Sequence, residues 1–117
     1  MQPQELEVYY ILPALRKELA KALKEQGKSQ KVIAELFGIT ESAVSQYVHE
    51  KRGAEVDFPA ALQKPIKEAA SRITDKSAFI KETQQLLHQV WHDKFICSVC
   101  HNQNGDAIPK GCAVCFE

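Results

Sequence analysis

The residues best equipped for chemistry are four cysteines near the end of the chain, Cys97, Cys100, Cys112 and Cys115. They form two C-x2-C pairs separated by eleven residues, and the chain holds no other cysteine. Thiolates can anchor haem, exchange disulfides or ligate metals. Cys97-Ser98-Val99-Cys100-His101 matches the c-type haem attachment pattern. That chemistry needs export, an axial ligand beyond His101 and a haem-sized apolar pocket. The second pair runs into Phe116 rather than His, and no leader pattern is visible. A dithiol oxidoreductase uses a single C-x2-C at a helix N-terminus in a βαβ setting, which this sequence does not offer.

Two such pairs supply the four donors of a tetrahedral metal site, each pair expected as a tight knuckle, and Asn104-Gly105-Asp106 can reverse the chain between them. Structural Zn²⁺ in finger peptides binds with an apparent free energy of about 10–16 kcal/mol, enough to order a tail with no core. Cys₄ sets also hold [2Fe–2S] and [4Fe–4S] clusters. His101 and Phe116 stand where many zinc ribbons carry glycine, and Val99, Ala113, Val114 and Phe116 suit the shielding of a cluster as well as the packing of a ribbon. Zinc is the first reading and an iron–sulfur cluster the alternative. His88 and His92, four apart, read as ordinary helix-surface or cap residues.

The rest of the chain must position this motif and say what it serves. Its 117 residues allow one domain with a small appendage. Lysine and arginine balance aspartate and glutamate, so a nucleic-acid partner must be met by local rather than net charge. No apolar run approaches the roughly 18 residues of a membrane span. The reading is a cytoplasmic chain with no membrane partner, in a compartment where clustered cysteines favour metals over disulfides. No acid–base pair, nucleophile constellation or phosphate loop is present, so the chain reads as a non-enzyme with no small-molecule substrate.

Helical periodicity dominates residues 6–94. Leu12, Leu15, Leu19, Ala22 and Leu23 mark one face, and Arg16, Lys17, Glu18, Lys21, Lys24 and Glu25 the other. Pro13 fits the first turn of a helix, so the main helix is expected from about Pro13 to Gln26, with 5–12 as a separate turn or kinked extension. Residues 60–73 form a further helix, which Pro65 should kink or restart. Asp75 or Ser77 caps a last helix, about Ala78 to Lys94. Phe79, Ile80, Thr83, Leu86, Leu87, Val90 and Trp91 give it a wide apolar face, a candidate dimer interface or a surface for the neighbouring helices. From Phe95 onward the helical pattern is expected to stop.

Between these lies "SQKVIAELFGITESAVSQYVHEKRG", 29–53. Ser29 caps a short helix whose inner face is Val32, Ile33 and Leu36, and Gly38 ends it. Thr40 caps a second, Glu41 to about Glu50. Its Ala43, Val44, Tyr47 and Val48 lie on one side, and its Glu41, Ser42, Ser45, Gln46 and His49 on the other. Four basic residues (Lys28, Lys31, Lys51, Arg52) oppose three acidic ones (Glu35, Glu41, Glu50) over 28–52.

Gln30, Ala34, Gly38, Ile39, Val44 and Ser45 give this stretch its identity: it resembles the helix-turn-helix of lambda-repressor-like (XRE-type) transcriptional regulators. Two helices crossing steeply need a small residue at contact, a glycine turn and apolar residues beneath. The resemblance implies that the second helix enters the major groove of double-stranded DNA. Ser42, Ser45 and Gln46 then read bases, with Gln46 suited to adenine. Glu41 can accept from cytosine or exclude wrong sites. Gln30, Lys31, Lys51 and Arg52 touch phosphates, and Thr40 and His49 complete the candidate contacts. A homodimer on a palindrome compensates for the few contacts of one chain.

Over most of its length, from "YYILPALRKELAKAL" to the cysteines, the chain is similar to small prokaryotic, largely archaeal, XRE-type regulators with a C-terminal four-cysteine motif. The expected architecture is all-α. Residues 1–57 form the DNA-binding region, 58–94 a helical packing or dimerisation region, and 95–117 a Cys₄ metal-binding tail. The expected activity is sequence-specific transcriptional regulation. An iron–sulfur redox or iron sensor is the first alternative, and a metal-stabilised protein-interaction adaptor the second.

Overall fold

The computed structural model describes residues 2–54 and 56–104, with side chains except at Ser98 and 101–104. The described residues are all-α, with no strand among them. In chain order they form α1 (Pro3–Leu6), a π-helical segment (Glu7–Ile11), α2 (Leu12–Glu25), α3 (Gln30–Phe37), α4 (Glu41–Val48), α5 (Ala60–Arg72), α6 (Lys76–His92) and α7 (Phe95–Asn104). No helix among them is long and apolar enough to cross a membrane.

The helix α2 is the centre of the packing. It lies against α5, α4, α3 and the π segment, and its Ala14, Leu15, Leu19, Ala20, Ala22 and Leu23 are buried. The expected inner face is therefore correct, apart from Leu12, which is half-buried. The expected outer face needs a correction, because Lys17 is buried as well. With neighbours on several sides, α2 has little outer face left, and Lys17 falls beneath the chain that leaves α4.

Pro13 explains the N-terminal winding. It has no N–H to donate, and in a regular α-helix its ring would press on the carbonyl four residues back. Here the helix widens just before it, and the Leu12 N–H reaches five residues back to the Glu7 carbonyl. The segment expected as a separate turn or kinked extension is thus helical throughout, with its change of winding at Glu7–Ile11. Pro65 does not break α5. The carbonyl its ring leaves without a partner belongs to exposed Ala61, where water can satisfy it.

The helix α6 packs against α5, α3 and α7. Phe79 stacks on Phe37 of α3, with centroids 4.2 Å apart and planes 13° from parallel. Most of its apolar face is used inside the chain, where Phe79, Thr83, Leu86, Leu87 and Val90 are buried. Ile80, expected on that face, is exposed. Asp75 rather than Ser77 caps this helix, its carboxylate accepting from the Ala78 N–H at 2.7 Å. Buried Glu82 on α6 takes a two-point contact from Arg72 of α5, 2.9 and 3.2 Å long.

The helical path does not stop at Phe95. Lys94 adopts a left-handed conformation (φ 57) that turns the chain, and α7 follows. Ile96 and Val99 are buried, Phe95 lies tilted against Phe58 with centroids 5.4 Å apart, and α7 rests on α1 and α6. Apolar residues at 95, 96 and 99 share a helical face that this burial makes worthwhile. In the sequence alone, the neighbouring Asn and Cys residues mask that pattern.

Candidate nucleic-acid interface and cysteine motif

The pair α3 and α4 is set by local chemistry. Ser29 Oγ accepts from the Val32 N–H (3.2 Å) and Thr40 Oγ1 from the Ala43 N–H (3.1 Å), so each helix has the expected cap. Gly38, at φ 68, ends α3 in the left-handed conformation, and the Ile39 N–H returns to the Ala34 carbonyl at 3.0 Å. Ile33, Ala34 and Phe37 of α3 and Val44 and Tyr47 of α4 are buried. Val32, expected inside, is exposed, and Leu36 is half-buried.

That anchoring turns one face of α4 outward. Thr40, Glu41, Ser42 and His49 are exposed, as are Lys31, Lys51 and Arg52. Gln30, Ser45 and Gln46 are half-buried. The side-chain oxygen of Gln46 is sheltered from solvent and has no hydrogen-bond partner, so a two-point contact to a base requires this side chain to swing outward. Lys31 and Glu41 line one open depression at the α3–α4 turn, and Lys76 of α6 joins them there. No local pattern in the sequence links Lys76 to a turn so far back in the chain.

The end of α4 is tightly specified. The Gln46 carbonyl accepts from both the Lys51 N–H (2.7 Å) and the Arg52 N–H (3.3 Å), and the Glu50 N–H bonds to the Tyr47 carbonyl (3.0 Å). Glu50 occupies the left-handed position, φ 59, usually taken by glycine. Lys21 of α2 donates to Glu50 Oε1 at 3.0 Å. Lys17 stands 3.9 Å from the same oxygen and 3.2 Å from Glu18 Oε1. The hydrogen bond from Lys21, then the charges of Lys21 and Lys17, hold the Glu50 carboxyl below its ordinary value. The same bond raises the Lys21 ammonium above its own. No local pattern links these three residues, which meet only once α2 and α4 pack together.

Cys97 and Cys100 lie on α7, three residues and so about one turn apart on one face. Both are half-buried against the core, and Val99 between them is buried. The first C-x2-C is therefore helical rather than the knuckle expected. Two donors on one helical face suit half of a four-thiolate site, and Cys112 and Cys115 lie outside the described residues. Among the described residues no three metal-binding side chains come together. His88 and His92 are exposed on α6.

Comparison with family models, curated proteins and solved structures found no match to this chain.

Proposed function

We propose that this chain is a sequence-specific, helix-turn-helix DNA-binding transcriptional regulator of the XRE type, with a C-terminal Cys₄ metal site, acting as a homodimer on a palindromic operator. The observation that carries this reading is α4 itself. It is a short helix with a Thr40 cap, seated by Val44 and Tyr47, whose opposite face offers Glu41, Ser42 and His49 to solvent with Lys51 and Arg52 just beyond. Short polar side chains on an outward helix can approach base edges, and basic residues at its end can meet phosphates. In this reading the four cysteines hold Zn²⁺, or an iron–sulfur cluster if the protein senses redox state or iron.

Selection from random-sequence duplexes with the full chain is expected to recover a palindromic site. Gln46→Ala should then change base preference at one position, at a cost of about 1–3 kcal/mol for the preferred base. Lys51→Ala should weaken all sequences alike and lower the salt slope by about 1. Recovery of no site would sink the DNA reading and leave the protein-interaction adaptor. Identical effects of the two substitutions would sink the division into readers and positioners.

A further inference from the structure

The chain leaving α4 is fastened to α2 at two points. At the first, Glu50 holds a left-handed conformation that a residue with a side chain rarely adopts (φ 59). Its carboxylate takes a 3.0 Å hydrogen bond from Lys21 and lies 3.9 Å from the Lys17 ammonium. Lys17 is only 2% exposed. Glu18 Oε1, 3.2 Å away, is the nearer partner of this buried ammonium, so Lys17 adds a longer second attraction to the Lys21 hydrogen bond that holds Glu50. At the second point, Gly53 lies against the backbone of Pro13 and Ala14, where an added Cβ would come within 2.3 Å of the Pro13 oxygen.

Between these points stand Lys51 and Arg52, both exposed, with both backbone amides bonded to the Gln46 carbonyl. Their peptide units are therefore fixed on α4 and on α2 together. The acidic residue beside them is paired with lysines on its inner side and is not left to oppose DNA.

We propose that Glu50 is a positioning residue for DNA binding. Tied to α2 by Lys17 and Lys21, it holds the connector so that Lys51 and Arg52 meet the phosphate backbone together. This rests on the DNA-binding reading above. A lysine and an arginine with long flexible stems lose considerable freedom on binding, and a connector fixed beforehand removes part of that loss.

The test compares the cost of Lys51→Ala for binding the selected duplex in three backgrounds of the full chain: unchanged, Glu50→Gly and Lys21→Met. Glycine accepts the left-handed conformation, so Glu50→Gly releases the tether without straining the backbone. Lys21→Met loosens it while leaving Glu50 in place. In the unchanged chain Lys51→Ala should weaken binding about tenfold, as expected for a charge-assisted contact. In both loosened backgrounds the loss should shrink to roughly twofold, because a mobile connector presents Lys51 poorly. An equal loss in all three backgrounds overturns the proposal, since Lys51 would then act independently of the tether. Failure of the unchanged chain to bind any duplex overturns the DNA reading and this inference with it. The two failures are distinguished by whether the unchanged chain binds.

Discussion

Single residues at the end of α4 combine opposing tendencies. The left-handed backbone of Glu50 disfavours any residue but glycine, by about 1–2 kcal/mol, while its carboxylate is drawn to two lysines of α2. A glutamate held below its ordinary pKa of about 4.3 contributes stability that is complete above that value and is lost as pH falls through the lower folded value. Lys21 is raised, so its share is complete below about 10.4 and is lost as pH rises through the higher folded value. The melting-temperature difference between the unchanged chain and Glu50→Gln should therefore be flat across neutral pH and shrink below about pH 4. Thermal melts over a pH series check this, and the difference between the two chains cancels the titration of Glu18 and Glu25, which also act on Lys21. At this scale the sequence was legible where type and spacing suffice, as for the caps Ser29 and Thr40. It was silent on Lys17 and Glu50, thirty-three positions apart, because no local pattern brings two such residues within 3.9 Å.

Helices with strong local signals lie close to where the sequence placed them. The capping residues before α3 and α4 each satisfy a backbone donor that would otherwise lack a partner, and Gly38 ends α3 as expected. Three departures have identifiable causes. The π winding at Glu7–Ile11 lets an unbroken helix accommodate Pro13. Exposure of Ala61 leaves its carbonyl open to solvent, so α5 continues past Pro65. Burial of Ile96 and Val99 makes a helix of the stretch that carries the first cysteine pair. The connector between α4 and α5 is also a tertiary product. Gly53→Ala, at φ 73 and with its Cβ pressed on the backbone of Pro13, should lower stability by about 2 kcal/mol or more. That corresponds to a melting temperature roughly 10 °C lower, read by circular dichroism.

Across the described residues, the buried apolar side chains form one hydrophobic cluster that reaches from Leu6 to Val99. The cysteine-bearing helix and the α3–α4 pair thus share a core. Trp91 of α6 donates a hydrogen bond from its indole nitrogen to Glu7, which ties the N-terminal segment to the helix just before α7. In the proposed Cys₄ site each thiolate is needed to close the tetrahedron. Full-length protein prepared without oxygen should therefore be colourless with about one Zn²⁺ per chain, and Cys97→Ser and Cys112→Ser should each release it. Metal analysis decides the point. A brown protein containing iron and sulfide would replace zinc with the cluster, and metal retained after either substitution would remove that cysteine from the ligand set.

By itself the sequence determined the all-α class, the caps and turn of the α3–α4 pair and the apolar face of α2. These follow from periodicity and from the bonding capacity of single residues, which act over four positions or fewer. Only the tertiary structure decided that Lys17 is buried, that Glu50 is tied to α2, that Gln46 has its oxygen sheltered and that Cys97 and Cys100 ride on a helix. Each of those depends on which surfaces of distant helices exclude water from one another. Local periodicity carries no record of that exclusion.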